Sequence, residues 1–256
     1  MAARQKLRIL CFGDSLTAGY SDLGCIYHPY HAKMGQMLAM AFPDHDITIV
    51  ERGDIGDTVK TGFLTRMQEC LPPSKNKSDK PPYDWVIVLG GTNDIAFAVP
   101  PQDIFKKLTE VWDVPLRRGC KVLALTVPDV MSPEGKLKTR GDADRKVLND
   151  LIIEYHKPNL HVYDLHDALS LTKMSPTDRK KYRNDHVHFT PTGYDLIGNK
   201  VGMALVGLLV KQRVADLPPA KRRRIFKNDD KLFEEETGSP DSLEGGYVVV
   251  RRTDLD

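Results

Sequence analysis

The stretch ILCFGDSLTAGY, residues 9–20, changes character at its centre. Its first residues are apolar and predict a buried strand, whereas those that follow are mostly small and polar. Asp14 and Ser15 are ordinary residues for capping a helix, and Gly13 is ordinary in a turn. The alternative is that Ser15 is a nucleophile, which requires a base elsewhere in the chain because a free serine hydroxyl reacts poorly near neutral pH.

Apolar strand-like runs alternate with segments of helical periodicity along most of the chain. The predicted strands cover residues 6–12, 46–52, 84–91, 120–127 and 161–166, and the predicted helices cover residues 29–42, 59–71, 103–116, 142–156 and about 192–214. Near-continuous apolar strands separated by helices indicate a parallel sheet that is covered on both faces. With right-handed crossovers, the sequence predicts a three-layer α/β/α sandwich with a five-stranded sheet, whose ligands bind at the carboxyl ends of the strands.

The predicted folded domain comprises residues 1–214. Residues 215–256 pass from a basic cluster into an acidic segment with few large apolar residues, which predicts a largely disordered tail. Within the domain, residues 72–82 are expected to form a surface linker. Residues 128–141 and 170–184 are expected to be loops at the edge of the site, where they would select the substrate.

The composition is that of a globular protein with a sizeable core, since 41% of the residues are hydrophobic. The 37 basic residues nearly balance the 35 acidic ones, which argues against wholesale nucleic-acid binding. The four cysteines show no C-x-x-C spacing and are expected to be reduced. No signal peptide or membrane-spanning stretch is recognised, so an intracellular, cytoplasmic location is expected.

The basic cluster AKRRRIFK, residues 220–227, has two interpretations. It could bind a nuclear-import receptor, another protein partner or an anionic surface. The simpler interpretation is a solvated tail. The sequence does not indicate an oligomeric state.

The residues around the ends of the predicted strands carry the groups that ester hydrolysis needs. Ser15 follows the first strand, Gly56 the second and Asn93 the third, while Asp185 and His188 precede the last helix. Ser15 would be the nucleophile and His188 its base; Asp185 would hold the imidazole in the required tautomer. The oxyanion would be bound by the backbone N–H groups of Ser15 and Gly56 and by the side-chain amide of Asn93.

Several nearby residues allow other interpretations. Gly56 and Asn93 could simply shape turns. His186 is a rival to His188 as the base. Asp14 and Asp94 could be mistaken for the acid of the triad, but each is expected to cap a helix or to brace a loop.

Two further reaction classes are disfavoured. His28, His31 and His45 lack the spacing of a metal site, and an activated serine needs no metal, so no metal or cofactor is expected. Asp57 and Asp185 could suggest a two-carboxylate glycosidase, although a capping aspartate and a triad aspartate are the simpler interpretation.

Four blocks of the sequence, taken in order, resemble the SGNH hydrolases, also called GDSL esterases and lipases. They are FGDSLTAGY at 12–20, GDT at 56–58, GGTND at 90–94 and DHVHFTPTGY at 185–194. The resemblance extends from Leu7 to about Val210 and implies a flavodoxin-like SGNH fold. It also implies that the four name-giving residues are Ser15, Gly56, Asn93 and His188, with Asp185 completing the triad.

The family pattern D-x-x-H favours His188 over His186 as the base. The serine elbow of α/β-hydrolases, G-x-S-x-G, does not fit, because Thr17 stands where its second glycine would be. The expected activity is therefore that of a serine esterase acting on small-molecule carboxylic esters of small or medium acyl groups through an acyl-enzyme. The alternatives are a thioesterase or lysophospholipase acting on longer acyl chains and, from another class, a noncatalytic binding protein on the same fold.

Overall fold

The computed structural model describes residues 4–73, 79–131 and 136–216. Five of the seven strands in these ranges form one parallel sheet, and the other two form a small antiparallel hairpin. The sheet contains β1 Gln5–Gly13, β4 His45–Gly53, β5 Trp85–Leu89, β6 Lys121–Leu125 and β7 Leu160–Tyr163, and the hairpin contains β2 Tyr20–Ser21 and β3 Ile26–Tyr27. The predicted five-stranded parallel sheet is confirmed.

The strand order is β4-β1-β5-β6-β7, so β1 lies inside the sheet with β4 on one side and β5 on the other. The chain reverses its direction of progress across the sheet at this point, and ligands of open α/β sheets bind at such switch points. Gly13 pairs with Gly53 on one side and with Leu89 on the other. The three strands therefore end at the same level, and the segments that follow them meet at one edge.

Helices cover the sheet, and each of the five predicted helices is present. The helices are α1 Ser15–Ala18, α2 His31–Ala41, α3 Phe63–Cys70, α4 Thr92–Ala96, α5 Pro101–Arg117, α6 Lys136–Glu154, α7 Leu165–Ala168, α8 Pro176–Tyr182 and α9 Pro191–Asp216, with a 3-10 turn at Asp22–Gly24. Together with the sheet they form the predicted three-layer α/β/α arrangement.

Two predicted loops are partly helical. Helix α6 begins at Lys136, inside the predicted loop 128–141, because lysine and arginine are strong helix formers and Arg140 forms an ion pair with Asp144 one turn later. Helix α8 lies inside the predicted loop 170–184. Its start has a capping serine, Ser175, whose side chain accepts a hydrogen bond from the Asp178 N–H, and a proline in the first turn.

The core lies between the sheet and its helices. Alternate residues of β1 point to opposite faces, and Leu10 and Phe12 pack into a cluster with residues of α3 and α5 such as Phe63 and Trp112. Strand β5, with the sequence WVIVL, is buried along its whole length, as a central parallel strand should be. All four cysteines are free.

Helix α9 combines a buried stripe with an unusually apolar composition. Among the residues that the structure describes, it is the one helix that is long and apolar enough to cross a membrane, over Pro191–Val214, by length and composition alone. Its fully buried residues Tyr194, Ile197, Val201 and Leu205 recur at helical spacing. A stripe of this kind is the pattern of a helix that packs on a protein core.

The chain divides into two compact units, Met1–Val206 and Gly207–Asp256. Of the second unit, the structure describes residues 207–216, which are the last turns of α9. The predicted tail beyond Asp216 and the basic cluster at 220–227 lie outside the described residues. The proposed domain end at residue 214 and the interpretations of the basic cluster therefore stay predictions.

Candidate active site

The turn that carries Ser15 follows β1 and packs closely against the end of β4. Asp14 caps α1, since its Oδ1 accepts a hydrogen bond of 2.9 Å from the Leu16 N–H, and the side chains of Asp14 and Ser15 are almost completely buried. Gly53 at the end of β4 leaves room for this turn, because a Cβ there would lie 2.3 Å from the Ala18 nitrogen and 2.6 Å from the Asp14 carbonyl oxygen. The glycine thus permits the close approach that the turn needs.

The structure brings the three predicted triad residues together. The Oγ atom of Ser15 lies 3.0 Å from Nε2 of His188, and Nδ1 of His188 lies 2.8 Å from Oδ2 of Asp185. Both distances are within hydrogen-bonding range. With Nδ1 protonated and donating to the carboxylate, Nε2 presents a lone pair to the serine hydroxyl, which is the arrangement that makes histidine a general base.

Asp185 also shapes the loop on which it lies. Its Oδ1 accepts hydrogen bonds from the backbone N–H groups of Val187 and His188, at 2.7 Å and 2.6 Å. Partial burial acts to raise the pKa of Asp185, but these two hydrogen bonds and the one from the His188 ring outweigh it, so the pKa lies below its ordinary value. The carboxyl group is therefore ionised near neutral pH.

His186 contacts Met131 rather than Ser15. Its Nδ1 contacts the carbonyl oxygen of Met131, and the Met131 N–H donates a 2.7 Å hydrogen bond back to the His186 carbonyl oxygen. This residue ties the loop 183–190, which we call the histidine loop, to the segment after β6. Of the two rival histidines, the one that contacts the serine is His188.

Gly56 follows β4 and lies on residues 54–60, which we call the oxyanion loop after the predicted role of Gly56. Asn93 follows β5 and lies on α4. Gly56 has a left-handed backbone with φ of 77°, and a Cβ placed on it would meet no atom within 4 Å. Its glycine is thus required by the backbone conformation rather than by crowding. The Nδ2 of Asn93 donates a 2.8 Å hydrogen bond to the Asp57 carbonyl oxygen, and the amide carries a second N–H for another acceptor.

Asp94 braces the oxyanion loop, as its sequence position suggested. Its two carboxylate oxygens accept hydrogen bonds of 2.9 Å from the backbone N–H groups of Val59 and Lys60. Burial raises the pKa of Asp94 above its ordinary value, although both hydrogen bonds act to lower it. Burial also raises the pKa of Asp14, to about 7, with the nearby Asp94 and Asp57 adding to the effect.

The sequence analysis missed Arg66, which connects the end of β1 to the end of β4 and to the loop that follows β4. Its Nη1 lies 2.5 Å from Oδ2 of Asp57 and 3.2 Å from the Gly13 carbonyl oxygen, and its Nη2 donates a 2.7 Å hydrogen bond to the Arg52 carbonyl oxygen. Its guanidinium also stacks 4.7 Å from the ring centroid of Phe12. The signal was its spacing, since Arg66 lies on α3 one turn after the buried Phe63 and thus on the apolar face.

The residues considered for other chemistries have other partners. Asp57 pairs with Arg66, and Asp185 pairs with His188, so neither carboxylate is arranged as in a glycosidase. His28 bonds to Asp195, and His45 bonds to Asp44. Within residues 4–73, 79–131 and 136–216, no group of three or more His, Cys, Asp or Glu side chains could hold a metal ion.

A serine, a histidine and an aspartate in hydrogen-bonded sequence, at the carboxyl ends of a parallel sheet, define the class of serine hydrolases. The sequence profile of the GDSL-like lipase/acylhydrolase family matches residues 11–196. The chain belongs to this family of carboxylic ester hydrolases, and its resemblance to SGNH hydrolases is confirmed. No curated protein matches the sequence.

Solved structures with the same fold are similar over most of this chain. A lipase/acylhydrolase from Enterococcus faecalis is 24% identical with a TM-score of 0.55, and the match covers 78% of this chain and 96% of that one. An aryl esterase from M. smegmatis is 21% identical with a TM-score of 0.57, covering 80% and 99%. An acetylxylan esterase from Geobacillus stearothermophilus is 20% identical with a TM-score of 0.54, covering 78% and 94%.

Proposed function

We propose that the protein is a serine esterase that hydrolyses carboxylic esters of small or medium acyl groups through an acyl-enzyme. The observation that carries this proposal is the continuous hydrogen-bonded series from Ser15 Oγ through the His188 ring to Asp185, with distances of 3.0 Å and 2.8 Å. A nucleophile, a base and an orienter of that base are the minimum that acyl transfer from an ester requires.

In the acylation step, the Ser15 oxygen attacks the ester carbonyl carbon while Nε2 of His188 accepts the hydroxyl proton. The resulting imidazolium is stabilised by the Asp185 carboxylate at Nδ1, and it then donates its proton to the departing alcohol oxygen. Water repeats the sequence on the acyl-enzyme, with His188 acting again as base and then returning the proton to Ser15. The products are the carboxylic acid and the alcohol.

The negative charge that develops on the carbonyl oxygen needs donors that are already in place. We assign this role to the backbone N–H groups of Ser15 and Gly56 and to the second N–H of the Asn93 side-chain amide. The hydrogen bond from Asn93 to Asp57 orients the amide. Asp94 holds the oxyanion loop to α4, and Arg66 links the loop to Gly13, two residues before Ser15. Such preorganisation lowers the cost of reorganising dipoles during the reaction.

The small acyl group is suggested by the similar structures. Among them are esterases named for acetylated sugars, including the acetylxylan esterase and a carbohydrate acetylesterase from Sinorhizobium meliloti. A series of p-nitrophenyl esters from acetate to palmitate, compared by kcat/KM, tests this part of the proposal. A maximum at acetate to hexanoate is expected; a maximum at longer chains, or faster hydrolysis of thioesters, would favour a thioesterase or lysophospholipase instead.

The first test of the mechanism is labelling with a fluorophosphonate probe, followed by peptide mass mapping. We expect one adduct, on Ser15, in the wild type, none in Ser15→Ala, and an unchanged adduct in the control Ser170→Ala, which alters another buried serine. Ester turnover should disappear together with the adduct, by at least about 10⁴-fold. Folded wild-type protein that forms no adduct and hydrolyses no ester would contradict the proposal and favour a noncatalytic binding protein.

A further inference from the structure

The hairpin β2–β3, residues Tyr20–Tyr27, lies directly against the proposed base. The ring centroid of Tyr20 is 4.7 Å from that of His188, and the two ring planes are inclined by 50°. Tyr20 pairs with Tyr27 across the hairpin, and their rings meet edge to face with centroids 6.0 Å apart. A row of three rings, His188, Tyr20 and Tyr27, therefore extends from the catalytic series toward solvent.

The backbone of this hairpin is firmly held. The hydroxyl of the fully buried Tyr194 donates a 2.8 Å hydrogen bond to the Tyr20 carbonyl oxygen, and the His28 N–H donates one of 2.8 Å to the Gly19 carbonyl oxygen. The backbone that carries the Tyr20 ring is thus held by residues outside the hairpin. A rigid aromatic surface next to a reacting group binds a ligand with little loss of side-chain entropy.

The hairpin also exposes an unusual amount of apolar surface. Leu23 at its tip is 85% exposed, Tyr27 is 54% exposed and Ile26 is 41% exposed. Large apolar side chains grouped in this way on a short, ordered segment are typical of a contact surface. Asp22 and Leu23 have left-handed backbone angles, with φ of 48° and 52°, which is costly for residues other than glycine.

The chemistry of the proposed reaction indicates which part of an ester meets this surface. His188 must donate a proton to the alcohol oxygen, so that oxygen must come within hydrogen-bonding distance of Nε2. The carbon substituent on that oxygen must then extend past the groups that flank the imidazole, and Tyr20 is one of them. The oxyanion donors Gly56 and Asn93 follow other strands, β4 and β5, and face the carbonyl oxygen instead.

We propose that the β2–β3 hairpin is the binding site for the alcohol part of the ester, with Tyr27 as a specificity-determining residue that favours large apolar and aromatic alcohols over small ones. This inference rests on the proposed esterase function. It separates the two halves of the substrate: the acyl group is selected elsewhere, and the hairpin selects the leaving alcohol. Tyr20 is a positioning residue in this scheme because it packs on the base.

The test keeps the acyl group constant and varies the alcohol. Methyl acetate, hexyl acetate and benzyl acetate are compared by kcat/KM for the wild type, Tyr27→Ala, Tyr27→Phe and the control Met40→Ala, which removes an exposed apolar residue of α2. Tyr27→Ala should lose about five- to tenfold on benzyl and hexyl acetate, the size of one aromatic contact, and less than twofold on methyl acetate. Tyr27→Phe and Met40→Ala should resemble the wild type on all three esters.

A second readout needs no turnover. Binding of benzyl alcohol, followed by titration in NMR spectra, should weaken by the same factor in Tyr27→Ala and remain unchanged in Tyr27→Phe. Equal losses on all three acetates, unaltered benzyl alcohol binding, or a loss that follows the acyl chain in a series of methyl esters would overturn the assignment of the hairpin. Absence of Ser15-dependent hydrolysis of methyl acetate would instead count against the esterase proposal, and the benzyl alcohol titration would still decide the role of Tyr27.

Discussion

Ser15, Gly56 and Asn93 lie at the ends of three neighbouring strands, whereas Asp185 and His188 lie on a single loop that precedes the last helix. We call the first group the serine side of the site. Ser15 and two aspartates beside it are buried there, with Asp14 1% exposed and Asp94 fully buried, while the side chain of Asp185 is 35% exposed. Sheet register and a network of buried side chains therefore fix the serine side.

The histidine loop is held mainly by its own hydrogen bonds. The Asn184 N–H donates to the His188 carbonyl oxygen at 3.0 Å, and the buried Arg183 donates to the Val187 carbonyl oxygen at 3.3 Å while its guanidinium stacks 3.9 Å from the Phe189 ring centroid. Asp185 adds its two backbone contacts. One loop residue thus combines a chemical and a structural role, and substitutions there should separate the two roles in a way that the serine side does not allow.

The largest expected effect comes from Asp185→Asn. The asparagine Oδ1 can still accept from the Val187 and His188 N–H groups, but its amide nitrogen cannot accept from Nδ1 of His188. The imidazole then loses the tautomer that presents a lone pair to Ser15, so kcat should fall by about 10⁴-fold, as in other serine hydrolases that lose this charge. Steady-state kinetics and a thermal melt measure the two roles, and the melting temperature should change by less than about 3 °C.

Asp185→Ala is the companion variant, because it removes the structural contacts as well. Two backbone N–H groups lose their acceptor, which should cost about 2 kcal/mol and lower the melting temperature by about 5 °C. Equal melting temperatures for the alanine and asparagine variants would show that Asp185 does not shape the loop.

On the serine side, Asn93→Ala is expected to have the next largest effect. Removal of one oxyanion donor lowers kcat by roughly 10²–10³-fold in comparable enzymes, with little change in KM. The same substitution also removes the hydrogen bond to Asp57, so a second variant must disturb that loop without removing the donor. Arg66→Lys serves this purpose, because one ammonium cannot replace the contacts with Gly13, Arg52 and Asp57 together.

We expect Arg66→Lys to lower kcat by about tenfold or less, because it loosens the oxyanion loop but leaves every proposed donor present. Kinetics of both variants on one acetate ester give the comparison. A loss in Arg66→Lys as large as that in Asn93→Ala would mean that loop position, rather than the Asn93 amide, accounts for the effect.

The parts of the molecule that were predictable are those that repeat a strong pattern. Apolar runs predicted the five parallel strands, and the glycine-containing segments after β1, β4 and β5 predicted which residues meet at the edge of the sheet. The start of α6 and the whole of α8 were predicted as loops, because these segments are highly charged and lack an apolar stripe. Arg66 was missed because its partners Gly13, Arg52 and Asp57 are distant from it in the sequence. The hydrophobic periodicity of a helix does not report contacts of that kind.

The smallest expected effect concerns stability rather than turnover, and it contrasts the buried Asp14 with the half-exposed Asp185. The folded pKa of Asp14 is about 7 against an ordinary value of 3.8, so the folded protein binds a proton more tightly than the unfolded chain between these values. Stability contributed by this group is therefore lost as the pH rises from about 4 to about 7. The Oδ2 atom of Asp14 is buried and has no hydrogen-bond partner among the described residues, so a charge on it is poorly tolerated.

Asp14→Asn keeps an oxygen for the Leu16 N–H and removes the titration. Relative to the wild type it should gain nothing near pH 4 and about 2 kcal/mol near pH 8, roughly half of what a shift of three pKa units would give without structural relaxation. Urea unfolding at both pH values measures this. Asp185→Asn should show the opposite slope, because its lowered pKa stabilises the fold above the ordinary carboxyl range and this contribution disappears as the pH falls. A difference between Asp14→Asn and wild type that does not vary with pH would mean that the turn carrying Ser15 accommodates the charge of Asp14.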